Sequence, residues 1–320
     1  MFTNRQKFKI SIVKKYTYIL FFSLTLFFNQ TYSQSFKKQF YDYVSKNDTI
    51  GQKQVLEEWE NTDREDPELF IAYFNYYVLK SKSEMLTIGQ NPKGEEFLQI
   101  MDKDTTKEEP VGFLYSNVYY NRSVLNQGID WINKGIEKYP NRLDMRFGKI
   151  YILGEIEDYE LFTKEIINTI DYSAINNNNW TWGDSITIDD TKEFLLGNIQ
   201  NYQIQLYNTG NDDLLDNMKK IAEAILKYYP EHIESLSNLS IVYIIQEQYD
   251  EALKSLLKAN KLNPKDFIVL NNIAHVYKIK GNTKKAIKYY ELTIKYGDEE
   301  SKVYAKEQIE ELKKNKPSKK

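Results

Sequence analysis

The chain has no cysteine, only two histidines, seven prolines and thirteen glycines among its 320 residues. Each shortage excludes something. Without cysteine there is no disulfide framework, no thiolate metal site, no cysteine nucleophile and no lipid-modified cysteine anchor. His232 and His275 alone cannot supply a zinc cage. So few prolines and glycines argue against an all-β fold built on tight turns. No glycine-rich phosphate loop, H-E-x-x-H or G-x-S-x-G segment is present, so nothing points to catalysis, and neither metal nor cofactor is expected.

Apolar residues make up 41% of the chain, enough to bury a core. The length suits two ordinary domains or one extended repeat array. The 26 tyrosines suit stacked helical hairpins, because tyrosine covers apolar area while its hydroxyl stays wet.

Residues 1–33 have the order of a signal peptide. Arg5, Lys7, Lys9, Lys14 and Lys15 form a basic region without an acid. The uncharged run Tyr16–Phe28 and a polar stretch follow, with Thr31 and Ser33 small enough to precede a cut before Gln34. A transmembrane span takes about 20 apolar residues, which disfavours an uncleaved anchor. Cleavage leaves 38 basic against 46 acidic residues, a net charge of −8, and no integral membrane segment. An acidic chain does not attract a phosphate backbone, so nucleic acid is not an expected partner. The Ser-Gln junction and the Lys/Asn/Ile/Tyr-rich composition resemble exported proteins of Bacteroidetes-type bacteria, and the periplasm is the expected compartment.

A 34-residue repeat is the strongest internal signal. With Ile233–Asp266 as one frame and Phe267–Glu300 as the next, Leu236 aligns with Leu270, Asn238 with Asn272 and Tyr243 with Tyr277. Ala252 aligns with Ala286 and Lys261 with Lys295. Leu236, Leu239, Ser240 and Tyr243 fall on one helical stripe. The small residues Ser240, Ala274, Ala252 and Ala286 allow close helix crossing. Asn263-Pro264 ends one hairpin, and Gly281-Asn282 turns the next.

This pattern resembles the tetratricopeptide repeat family over roughly residues 231–298. The resemblance implies an all-α fold, a right-handed α-solenoid of helix-turn-helix hairpins. It divides into degenerate repeats over 34–175, a polar link at 176–189, regular repeats over 190–298, a capping helix at 299–314 and a disordered tail at 315–320. Upstream helices are expected at 36–45, 50–60, 68–80, 127–139, 142–153, 159–170, 191–207 and 214–229. Asp190 is expected to cap the helix at 191–207, with Glu193 completing a capping box. The segment 84–102, with two apolar runs around Asn91-Pro92-Lys93-Gly94, reads as a small β-hairpin insertion or as a loop with a short helix.

In such repeats the first helices line a concave groove that holds a protein or peptide. The resemblance therefore implies partner-binding roles for Glu234, Ser237, Asn238 and Ile241, then for Asn271, Asn272, His275 and Lys278, and for Lys302 and Lys306 on the cap. An asparagine amide both donates and accepts, so it can hold an extended backbone without reading its sequence; at these places it serves either that purpose or to brace the helix pair. His275 is a groove contact or an ordinary surface histidine, and His232 is expected to be exposed at a helix start. Some relatives clamp a C-terminal carboxylate. Asn272, Lys302 and Lys306 fit three places of that clamp, while Ser237 and Ile241 occupy the other two. The expected function is a scaffold or adaptor in a cell-envelope complex. The rival is a carbohydrate or small-ligand site that stacks rings on Trp131, Trp180 and Trp182, with Asp184 or Asp189 as polar partner. A third reading is an architectural array whose other surfaces make the contacts.

Overall fold

A computed structural model describes residues 31–90, 97–103, 109–183 and 188–314. The proposed leader lies almost wholly outside them, as do the turn tetrad 91–94 and the tail 315–320. The described residues form thirteen α-helices and one three-stranded sheet, and they divide into two compact units.

The first unit holds α1 (Thr31–Ser45), α2 (Thr49–Thr62), α3 (Pro67–Ser81), β1 (Lys82–Gly89), β2 (Phe97–Ile100), β3 (Gly112–Tyr120), α4 (Arg122–Lys138) and α5 (Leu143–Glu155), together with residues 180–183 and 188. Acidic side chains before the helices act as caps. Asp48 accepts from the Gly51 amide, and Asp66 accepts from both the Glu68 amide and the Trp59 indole. Trp59, Tyr73, Phe40, Leu56 and Leu69 are buried between α1, α2 and α3. Helices α3 and α4 cross closely because α4 presents Gly128 and Gly135 one above the other. A Cβ on either would come within 3.0 Å of Tyr77 Cβ or Phe70 Cβ. A buried ion cluster ties three helices together: Glu68 of α3 pairs with Arg142 before α5 at 2.5 Å and with Lys37 of α1 at 2.6 Å. Arg142 also pairs with Asp144 at 2.7 Å.

The insertion is β structure, as one sequence reading has it, but with a different partner scheme. β1 and β2 do not pair with each other; both run antiparallel to β3, giving the order β1-β3-β2. Residues 112–120, unassigned in the sequence, are the centre of the sheet.

The second unit holds α6 (Tyr159–Ile175), α7 (Thr191–Asn208), a 3-10 turn (Asp212–Leu214), α8 (Leu215–Tyr228), α9 (Ile233–Ile245), α10 (Tyr249–Leu262), α11 (Phe267–Ile279), α12 (Thr283–Tyr296) and α13 (Glu299–Lys314). Its start differs from the sequence expectation, because α6 belongs here and not with the helices before it. Asn217 of α8 donates to the Tyr159 carbonyl and to Thr163 of α6, and the Tyr228 hydroxyl donates to Asp171. The 34-residue frame appears as stacked hairpins α9/α10 and α11/α12, closed by α13. The small residues Ser240, Ala252, Ala274 and Ala286 are all buried, with Leu256 and Tyr290 beside them. Asp190 caps α7 through the Glu193 amide at 2.9 Å, as expected, and Asp266 caps α11 through the amides of Ile268 and Val269.

Candidate functional site

The polar residues of the first helices α7, α9 and α11 align from one repeat to the next. Asn238 of α9 and Gln200 of α7 form a reciprocal amide pair: Asn238 Nδ2 donates to Gln200 Oε1 at 2.7 Å, and Gln200 Nε2 donates back at 3.3 Å. One frame later the equivalent residue, Asn272, has no such mate. It is 0% exposed, and neither its amide nitrogen nor its oxygen has a hydrogen-bond partner. Beside it, the Asn271 oxygen is also buried and unpaired, and so is the Ser237 hydroxyl of α9. Each such group costs about 1–3 kcal/mol, which a helical array normally avoids by placing an apolar residue there.

The other expected contact residues fall into two groups. Ile241 is fully buried and Asn238 is buried within its amide pair, so neither presents the open groove side chain that frame position alone implies. His275 is also buried, against the expectation of a groove or surface position, and burial with the nearby Lys278 cation lowers its pKa to about 4. Lys278 reaches the capping helix, donating to Gln308 at 2.7 Å and pairing with Glu311 at 2.6 Å. Lys302 pairs with Glu299 on its own helix. Glu234 is half-buried beside His232, and Lys306 is exposed. His232 is not a free surface histidine: it caps α9 by accepting from the Ser235 amide.

The tryptophans are not open ring platforms. Trp180 is 4% exposed with the Arg146 guanidinium over its ring, and Trp182 sits edge-on to Phe147. Trp131 is stacked on Tyr73 at 3.9 Å, with Lys134 over its ring. Asp184 lies outside the described residues. Among those residues no group of three or more His, Asp or Glu could hold a metal, and no helix is long and apolar enough to cross a membrane.

The sequence profile described as "TPR repeat" matches residues 242–281, and that described as "Tetratricopeptide repeat" matches residues 268–296. Residues 242–296 are thus similar to tetratricopeptide repeats. These matches fall on α9 to α12, the hairpins that flank Asn272. No curated protein matches the chain. Among solved structures, the C-terminal part of a TPR repeat-containing protein from Cytophaga hutchinsonii is 15% identical. The alignment covers 88% of this chain and 90% of that one, at a TM-score of 0.42. YrrB, described as a TPR protein with an unusual peptide-binding site, is 14% identical over 79% of this chain and 97% of its own, at 0.36. Pseudomonas aeruginosa pilF is 17% identical over 60% and 82%, at 0.37. Similarity at that level speaks to neither partner nor role.

Proposed function

We propose that this protein is a tetratricopeptide scaffold that holds an extended protein segment along the first-helix face of α9 and α11, with no catalytic step of its own. The observation that carries this is the accessible row on that face: Glu234 of α9 and Asn271 and Lys278 of α11 are partly exposed above the covered Ser237, Asn238 and Asn272, and Lys306 and Lys302 stand beyond them on α13. The Asn271 amide can donate to a backbone carbonyl of an extended partner segment. Lysines there favour an acidic partner segment through weak, salt-sensitive pairs.

Asn272→Leu tests bracing. It removes an unsatisfied amide, so the free protein is expected to gain about 1–3 kcal/mol in urea unfolding. Asn271→Ala/Lys306→Ala tests binding: affinity purification of wild type and this double variant from the native organism, followed by mass spectrometry, is expected to show a partner held by the first and lost by the second. An unchanged partner list would remove the groove reading.

Export to the periplasm, and work there in a cell-envelope assembly, form part of the same proposal, supported by the basic-apolar-small order of residues 1–33. The mass and N-terminal sequence of the protein recovered from cells test it. Gln34 is the expected first residue; recovery of the full-length cytosolic chain alone would overturn export.

A further inference from the structure

In the order β1-β3-β2 only one side of β1 meets another strand, and among the described residues nothing pairs with its other side. Natural sheets usually blunt such an edge with a short strand, a proline, a bulge or charges along it. β1 has few of these protections. Its register against β3 is unbroken from Lys82 opposite Tyr120 to Gly89 opposite Phe113, and it holds no proline. Its two charged residues, Lys82 and Glu84, pair with each other at one end, and beyond them Leu86 and Ile88 are 75% and 70% exposed. The Asn121 amide donates to the Ser81 carbonyl at 2.8 Å, one step beyond the opposed Lys82 and Tyr120. Bonded and non-bonded pairs alternate along an antiparallel ladder. Ser83, Met85 and Thr87 therefore turn their N–H and C=O groups toward β3, whereas Glu84, Leu86 and Ile88 turn theirs to the open side. The Lys82 amide is taken by the Leu79 carbonyl at the end of α3, which leaves the Lys82 carbonyl facing outward.

We infer that the open edge of β1 takes an extended, neutral or basic segment of another protein as a fourth strand. The backbone row selects a polypeptide. Its outward N–H and C=O groups recur every second residue, about 6.8 Å apart at a rise of about 3.4 Å. An added strand repeats acceptors and donors at that spacing, whereas a sugar, a lipid or a nucleotide does not. The flank of the edge has room for side chains of the added strand. A groove of about 430 Å³ lies beside Lys82, Ser83 and Glu84, with Val44 and Leu79 as apolar walls and Asn47 and Thr49 as polar ones. Gln52 is its least exposed lining residue, at 3%, and its side-chain oxygen has no hydrogen-bond partner. Charge selects the kind of segment. Residues 82–120 contain four lysines against seven acids, so a basic segment is drawn to this edge and an acidic one repelled. A second copy would bring the same excess of acid against itself. This site lies in the first unit and does not rest on the reading of the α9 and α11 face.

Glu84→Pro tests the edge without breaking the sheet. The Glu84 amide faces away from β3, so proline removes an edge donor and puts its ring on the open side while the ladder stays whole. Circular dichroism is expected to be unchanged. Thr49→Trp, at an exposed position, is a second variant that fills the groove instead. The probe is a fluorescently labelled peptide, acetyl-Lys-Thr-Val-Thr-Val-Thr-Lys-amide, added to the full-length protein. Anisotropy is expected to show saturable binding, weakened at least fivefold by Glu84→Pro, by Thr49→Trp and by N-methylation of the central peptide amides. Replacing both peptide lysines with glutamates is expected to weaken it as well. Amide hydrogen exchange reads the geometry: Glu84, Leu86 and Ile88 are expected to exchange fast in the free protein and slowly with peptide, while Met85 and Thr87 are protected throughout. Binding is expected to survive Asn271→Ala/Lys306→Ala, which separates this edge from the first-helix face. No saturable binding, binding that Glu84→Pro leaves intact, or binding that leaves the Glu84, Leu86 and Ile88 amides unprotected would each overturn the proposal. So would protection of these amides without peptide, assigning the edge to a second copy if it rises with protein concentration and to a segment of the same chain if it does not.

Discussion

His275 shows what burial does to a single ionisable group. Desolvation first, and then the neighbouring Lys278 cation, hold its imidazole neutral and bring the pKa down to about 4. The unfolded chain takes up the proton near pH 6.5, so it binds more protons than the folded one between these values. The stability from a neutral His275 is whole above about pH 6.5 and declines as the pH falls toward 4, by roughly 3 kcal/mol in all. His232 is lowered in the same direction, mainly by desolvation. Asp266 opposes both, because burial raises its pKa and acid favours its folded form. Urea midpoints are expected to be lower at pH 4.5 than at pH 7.5, with the gap shrinking in His275→Leu; an equal gap would show that His275 contributes nothing. The sequence placed His275 and Asn272 on first helices, and there they are. It did not tell how deep they sit, because helical period gives direction around an axis and not the thickness of what lies above. The same gap made Trp180 look like a surface ring among asparagines, when Arg146 covers it.

At the level of elements, periodicity and caps carried most of the information. The helices expected at 50–60, 68–80, 142–153 and 191–207 appear within two residues of both expected ends, since each combines an apolar stripe with an identifiable start or stop signal. β3 was missed although its Phe, Tyr and Val are strand formers. Both of its faces carry apolar residues, so no clean two-residue alternation marks it. One element-scale irregularity is correctable. Gly281 turns α11 into α12 with φ +71°, and 34 residues earlier Glu247 occupies the same turn with φ +59°. A side chain in the left-handed region costs about 1 kcal/mol or more, and glycine does not bear that cost. Glu247→Gly is expected to raise stability by about 1 kcal/mol in urea melts, and Gly281→Ala to lower it by a similar amount. A loss of stability in Glu247→Gly would mean that the glutamate side chain makes a contact that outweighs its backbone cost.

For the molecule as a whole, the division into two units places α6 with the regular repeats. The polar link at 176–189 looked like the boundary because its asparagines break a helix, but breaking a helix is not the same as ending a core. A fragment of residues 159–320 is expected to unfold cooperatively, whereas 190–320 loses the helix that meets Asn217 and Tyr228 and should be several kcal/mol weaker. Equal urea midpoints for the two fragments would return the boundary to the link. The strand order has a further consequence, in time rather than in space. Lys82 pairs with Tyr120 and Gly89 with Phe113, so the first strand leaves the ribosome well before any residue that can hydrogen-bond to it. While it waits, Met85, Leu86 and Ile88 form an unpaired apolar edge on a nascent chain, the kind of segment that chaperones shield. A ribosome stalled with residues 111–120 still inside the exit tunnel should therefore hold a chaperone at this segment, and release it once the central strand emerges.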